Sequence, residues 1–540
     1  MNIEPRLDIN PFSPDRAASN DISDPVVQRE RLFSQDKKIL AAVRDLATRV
    51  LACRVDPEFT ERKPQALVVG GFVRDALLGK NPNDADVEVY GMSAERLEKF
   101  LDEIFPGKVN KVGKTFGIFS VSLGNGIEMD ISLPRRESKV AEGHKGFSVD
   151  GDPTMSVAEA ARRRDFTFNG LAADILIGEV YDSFGGVDDL KSKTLRVTDP
   201  ERFQDDALRI YRGLQFAARM GLTPEPETLR LMREMVERGE LTVLVDQKKL
   251  AELRKGSLSK TLVDRGDIMG INKGEMQKGL TSPRITEELK KLMVKSSKPS
   301  IGLELAMVLG ILERYYPEID AKDEEKWMRL KDTVDGAAKL MRDLPWTKDF
   351  TSKEKDEIKL QIMFGALASN FGGADVEAVD IQKLAEGFFL RHELNLDKVC
   401  KPATNAAREY PEIARIFDSF STGELDEKSR DNEIRKLFKR IFPLRPEVLA
   451  VVSQAAAQGR EASSKAGFPP ADMLLDCAKR HPEWLLAPNK LKLVSGDELM
   501  ALGYKGRALG EAQNRIEEAR DRGEIETREQ ALEFLKSQTV

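Results

Sequence analysis

Histidine and cysteine are scarce in this sequence, three of each in 540 residues. Cys53, Cys400 and Cys477 lie far apart and form no metal-like spacing, which fits a reducing, cytoplasmic setting better than a disulfide framework; no zinc site is expected. His144, His392 and His481 are too few and too scattered for a metal-dependent phosphohydrolase domain. Aromatic residues make up only 6%, and basic residues are in no excess, the formal net charge being -6. That balance gives no global pull toward nucleic acid or anionic membrane, so any nucleic-acid function has to rest on a local basic patch. No apolar run approaches the length needed to span a bilayer. The N-terminal "MNIEPRLDINPFSPDRAASNDISDPV" lacks an apolar centre, resembles neither a signal nor a transit peptide, and reads as a mobile tail.

Charged residues reach 33% and hydrophobic ones 41%. At this length a single core stops growing, so two or more domains are expected. "DKKILAAVRDLATRVLA" has helical apolar spacing, whereas "ALVVGG", "DVEVY", "FGIFSVSL" and "IEMDISL" predict a small mixed sheet between residues 66 and 133, with "SAERLEKFLDEIF" as an intervening helix. After residue 200 helical periodicity dominates. The glycine-dotted "KGSLSKTLVDRGDIMGINKGEMQKG" reads as an inserted loop. Ser156 to Glu159, Ser495 to Glu498 and Thr527 to Gln530 are capping-box patterns that predict helix starts. The expected class is α+β, with a disordered tail over 1–35, a head over 36–190, a helical neck over 191–250, an inserted loop over 251–280, a helical body over 281–485 and a helical tail over 486–540.

"GGFVRDALLGKNPNDADVEVY", residues 70–90, asks for specific chemistry. A strand ending in Gly70-Gly71 and feeding a helix presents bare backbone amides to an anion, phosphate above all, and Arg74 can add charge to it. Asp84 and Asp86, two apart on a strand, point to one face and repel unless a cation lies between them; Mg²⁺ is the hard ion that also takes nucleotide phosphates. Asp130 on a later strand is either a third carboxylate of the same site or a surface residue. The run Arg162-Arg163-Arg164 ends a short helix, where cations suit the dipole, but three exceed what capping needs. On "DDALRIYR", Asp206, Arg209 and Arg212 follow one another at i,i+3 and share a stripe. A carboxylate beside a guanidinium matches the amino donor and ring-nitrogen acceptor of cytosine and adenine and rejects guanine and uracil; an ion-pair ladder is the plainer alternative.

In this order, "ALVVGGFVRDALLG", "DAD", "VGKTFGIFSV", "GHKGF", "RRDFTFNGLA", "FGGVDDL" and "RFQDDALRIYRGLQFAARMGL" resemble the class II tRNA nucleotidyltransferases, the CCA-adding enzymes and their bacterial poly(A) polymerase relatives. The resemblance covers about 66–240, resumes from "SPRITEELKKLM" to "YYPEID" and returns in "LVSGDELMALGYKGRALGEAQNRIEEA". It implies a nucleotidyltransferase palm and two-metal transfer of C and A from CTP and ATP to the 3′ end of tRNA. Asp84 and Asp86 are the implied metal ligands. The implied nucleotide-binding residues are Gly70, Gly71, Arg74, Arg164, Asp206, Arg209 and Arg212. The tail resembles the part of these enzymes that holds the tRNA elbow. The chain departs from the family at Gln215, where another arginine is usual, and at Gly170, where alanine stands. The segment "PRRESKVAEGHKGFSVDGDPTM" and "VGKTFGIFSV" favour full CCA addition over A-only or poly(A) addition. Two further readings are a non-catalytic RNA-binding relative and a transferase acting on a small molecule.

Overall fold

The computed structural model describes residues 21–60, 62–82, 84–111, 118–124, 127–139, 147–271, 279–344, 351–371, 378–392, 399–442, 444–460, 469–485, 492–521, 524–525 and 527–537. The chain forms two compact units, which divide at Arg209 and not at residue 190; Leu222–Leu231 returns to the first unit.

In the first unit the elements run α1 (Pro25–Phe33), α2 (Lys37–Leu51), β1 (Gln65–Val69), α3 (Gly71–Leu77), β2 (Asp84–Tyr90), α4 (Ala94–Ile104), β3 (Val109–Lys111), β4 (Ile118–Gly124), β5 (Ile127–Ser132), β6 (Arg135–Lys139), β7 (Phe147–Gly151), α5 (Val157–Arg162), β8 (Ala172–Asp174), β9 (Glu179–Tyr181), α6 (Gly186–Ser192), β10 (Thr194–Leu195) and α7 (Pro200–Phe203). Seven strands make one sheet in the order β3-β4-β5-β2-β1-β8-β9. All its neighbours are antiparallel except β2 and β5, which makes the sheet mixed. Strand alternation gives it two chemically different faces. Ala85, Val87 and Val89 of β2, Met129 and Ile131 of β5, and Phe119 and Val121 of β4 are buried. Helix α2 packs on β1, β2, β4 and β5. Its Ile39, Val43, Leu46 and Val50 are buried and recur at helical spacing.

The expected tail reaches residue 35, yet α1 is ordered. Asp24 caps it by accepting from the Val26 amide, Pro25 supplies the fixed φ of a first helical position, and Arg31 donates to the Leu77 carbonyl. The Arg44 guanidinium lies 4.3 Å over the Phe33 ring. Average composition concealed this cap.

Helix α8 (Leu208–Met220) crosses the division, and β11 (Thr223–Pro224) and the start of α9 (Pro226–Glu237) return to the first unit. The second unit then departs from the expected all-helical neck and inserted loop. β12 (Val243–Asp246), α10 (Gln247–Leu253), α11 (Ser257–Asp264), β13 (Ile268–Ile271) and β14 (Leu280–Thr281) build a small parallel sheet in the order β13-β12-β14. Gly270, which had suggested a loop, marks a close approach instead: a β-carbon there would lie 2.7 Å from the Leu250 side chain. The remainder is helical, from Ser282–Lys295 through long helices such as Glu324–Arg342 and Lys401–Ser421 to Arg528–Ser537. Its last three helices have a core of their own, with Val494, Leu499, Ala512, Ile516 and Leu535 buried together. Both capping boxes of that segment form.

No helix among the described residues is long and apolar enough to cross a membrane. Cys53, Cys400 and Cys477 are free thiols.

Candidate active site

Strand β1 stops at Val69 because Gly70 takes φ +65, a conformation that side chains disfavour, and turns the chain into α3. The Gly70 amide donates to the Leu171 carbonyl at 2.8 Å, which pins the turn to the segment before β8. Arg74, expected to serve an anion, is turned into the protein. It is 6% exposed, grips the Asp75 carboxylate through Nε and Nη2 at 2.8 Å each, and donates from Nη1 to Asn169 Oδ1 at 2.5 Å. Asn169 in turn donates to Asp165 Oδ1 at 2.8 Å. Arg74 thus braces the glycine turn, because α3 is only seven residues long and turns this side chain inward.

Asp84 and Asp86 are exposed on the open face of β2, as their spacing predicts. Parallel pairing sets Asp84 beside Glu128 and Asp86 beside Asp130, so four carboxylates occupy two adjacent rows. Asp130 therefore shares the face of the pair. Solvent reaches Asp86, yet desolvation pushes its carboxyl above the usual range; Arg164 opposes that shift, and the Asp130, Asp84 and Glu88 charges add to it. A face of hard oxygen donors in which Asp86 resists ionisation suits a hard divalent cation. Among the described residues no three His, Cys, Asp or Glu side chains converge as a ready-made cage. Mg²⁺ needs none, since it binds through one or two carboxylates together with substrate phosphates.

Glu88, third in the alternation Asp84, Asp86, Glu88, is 2% exposed. Its Oε1 accepts from Arg163 Nη2 at 2.7 Å and Arg164 Nη2 at 2.9 Å, and its Oε2 from the Tyr90 hydroxyl at 2.9 Å. Burial alone raises a carboxyl, but Arg164, Arg163 and these hydrogen bonds outweigh it and hold Glu88 below the usual range. The predicted capping box forms at Ser156 and Glu159, and α5 ends at Arg162, so Arg163 and Arg164 follow as the helix stops. The three arginines do not act as one patch. Arg162 is exposed and lies 3.8 Å from Asp199, whereas its two neighbours turn to Glu88. Lys145, which the sequence offers for a local basic patch on the side of the site together with Arg162 and Arg163, lies outside the described residues.

Asp206 Oδ1 accepts from the Leu208 amide at 3.1 Å at the start of α8. Arg209 donates from Nη2 to the Arg163 carbonyl at 2.8 Å and from Nη1 to the Arg202 carbonyl at 2.6 Å, so it is not part of a ladder with Asp206. Arg212 belongs to the second unit, where its Nη1 is 4.0 Å from Glu288. Gln215 is buried in that unit and accepts from Arg219 at 3.1 Å. At Gly170 a β-carbon would meet the Thr167 carbonyl at 3.1 Å, tighter than ordinary contact.

Residues 66–196 match the poly(A) polymerase head domain. The chain is 38% identical over 214 residues to a multifunctional CCA protein of Xanthomonas campestris pv. campestris, a match spanning 38% of this chain and 50% of that protein. Over this head the chain is similar to the CCA-adding enzyme and poly(A) polymerase family. It spans about half the length of the curated CCA proteins it matches. The fold extends further. A Bacillus stearothermophilus CCA-adding enzyme in complex with CTP superposes with a TM-score of 0.58 at 18% identity, covering 93% of this chain and 98% of that one. A Thermotoga maritima CCA-adding enzyme complexed with tRNA superposes with a TM-score of 0.51 at 21% identity, covering 91% and 98%. The motif order had pointed to this family. Sequence reasoning missed Glu88, Glu128 and Asn169; the unbroken acidic alternation on β2 was the available signal for Glu88.

Proposed function

We propose that this chain is a template-independent RNA nucleotidyltransferase that adds CCA to the 3′ end of tRNA from CTP and ATP with Mg²⁺, in the cytoplasm. The observation that carries the reading is the row of Asp84 and Asp86 beside Asp130, on the sheet face that Arg164 borders next to the Gly70 turn. Asp84 and Asp86 would hold the ion, which when bound offsets the charge of the triphosphate and of the attacking oxygen. The Gly70-Gly71 turn, which carries no side chain, and the end of Arg164 that Glu88 does not hold take the phosphates. Asp206 and Arg209 select the base. Arg209 uses two of its five N–H donors on carbonyls, which fixes its plane and leaves donors for a ring nitrogen. The last three helices hold the tRNA elbow.

The test is incubation with tRNA ending at its discriminator base, with each NTP singly and in pairs, in Mg²⁺ or in chelator, followed by product length. Addition of C, C and A in Mg²⁺ alone supports the reading. A single A or a long A tail moves the chain to its A-adding or poly(A) relatives, and tRNA binding without any addition makes it a non-catalytic binder.

A further inference from the structure

We propose that Glu88 is a positioning residue: it holds Arg164 against the Gly70 turn and so sets how tightly the head takes the phosphates of a nucleoside triphosphate. This rests on the nucleotidyltransferase reading above. Arg163 and Arg164 are consecutive cations whose Nη2 atoms share one carboxylate oxygen of Glu88, at 2.7 and 2.9 Å. The other oxygen takes the Tyr90 hydroxyl at 2.9 Å. Burial beside Glu88 keeps that phenol protonated, and therefore a donor, far above its ordinary range. Both oxygens of Glu88 are thus used by donors from two elements, and its side chain has no second orientation that keeps them all.

The geometry commits one end of Arg164 and leaves the other. Nη2 goes to Glu88, while Nη1 is 3.6 Å from the point where a β-carbon on Gly70 would sit. Among the described residues Glu88 is the one hydrogen-bond acceptor of the Arg164 side chain, which is 25% exposed. Asp86 lies within electrostatic reach of the same guanidinium. Arg164 therefore spans from the buried end of the acidic row to the bare backbone of the turn, with N–H groups left for an anionic guest. A charge-assisted bond to Glu88 keeps it there at no entropic cost when the guest arrives. Without the Glu88 charge, two adjacent guanidiniums repel, and Arg164 is the more exposed of the two.

The experiment measures CTP and ATP binding by titration calorimetry on the full chain, and separately initial rates of incorporation into tRNA, for wild type, Glu88→Gln, Glu88→Asp and Tyr90→Phe. Glutamine keeps the size and one acceptor but no charge. Loss of a charge-assisted bond predicts that Kd and KM for both nucleotides rise about tenfold or more, with kcat falling less and KM for tRNA unchanged. Glu88→Asp keeps the charge one methylene short and falls between, and Tyr90→Phe changes nucleotide KM less than about threefold. A Glu88→Gln protein that melts earlier yet binds CTP and ATP as wild type does overturns the proposal, as does a Glu88→Asp protein with unaltered nucleotide affinity if the glutamine variant does not fold. Binding is read apart from transfer. A wild-type chain that binds CTP and transfers nothing overturns the tRNA reading, and the binding ratios still decide the role of Glu88; one that binds neither nucleotide overturns both.

Discussion

Asp86 sits next to Asp84 along its strand and Asp130 across it, so neutralising it has two opposite effects. Asp84→Asn or Asp86→Asn should lower incorporation at least ~100-fold, because the cation loses its hold, while tRNA retention on filters changes less than about twofold. In chelator the same Asp86→Asn protein should melt at or above the wild-type temperature at neutral pH. Its raised carboxyl means that the folded state bears a penalty above the folded pKa, and the penalty fades as pH falls through it. Glu88 has the reverse sign. Held low, it contributes stability at neutral pH that is lost as pH falls through its folded pKa, so the melting deficit of Glu88→Gln should shrink in acid. Asp206→Ala should use UTP or GTP better relative to CTP, by roughly tenfold, with transfer still running; an unchanged preference on competition with mixed NTPs would return α8 to plain structure. At this scale the sequence shows which chemistry is present more clearly than where it points. The strand period of two placed Asp84 and Asp86 on one face, whereas Asp130 joins them only through the pairing of β2 with β5. The sequence could not show that Arg74 turns inward to Asn169 or that Arg209 reaches two backbone carbonyls, since both depend on segments distant in the chain.

Helix α6 approaches the 3₁₀ turn at Thr167–Asn169 so closely that a β-carbon on Gly186 would lie 2.5 Å from the Thr167 carbonyl oxygen. Gly186→Ala should therefore cost about 1–3 kcal/mol, as overpacking does, and show a lowered melting temperature. Because Asn169 of that turn holds Arg74, the KM for CTP should rise as well. If only stability changes, the brace does not reach the site. Strands of strict alternation and helices with clear caps, such as α2 and the one begun by Ser156, were legible because local pattern and tertiary burial agree. The parallel sheet of β12, β13 and β14 was not. Its strands are two to four residues long, too short to display a period, and their partners come from separate stretches of chain.

The last three helices carry their own buried cluster, so a chain ending at residue 491 should still melt cooperatively and bind CTP. If those helices hold tRNA, its KM for tRNA should rise about tenfold or more while the KM for CTP stays put. The net charge of -6 makes any polynucleotide contact local, and the slope of tRNA affinity against salt should flatten in the same truncated protein. The pairing of β2 with β5 has one more effect. Parallel neighbours cannot be joined by a hairpin, and here α4, β3 and β4 intervene before Asp130 comes beside Asp86. On the ribosome, β2 must wait for β5 to emerge before the acidic rows exist at all. A nascent chain therefore gathers its full set of like charges late, against apolar side chains such as Val87 and Ile131 that enter the opposite face in the same step, and a chain stalled before β5 carries only the mutual repulsion of Asp84 and Asp86, without that of Asp130 and Glu128.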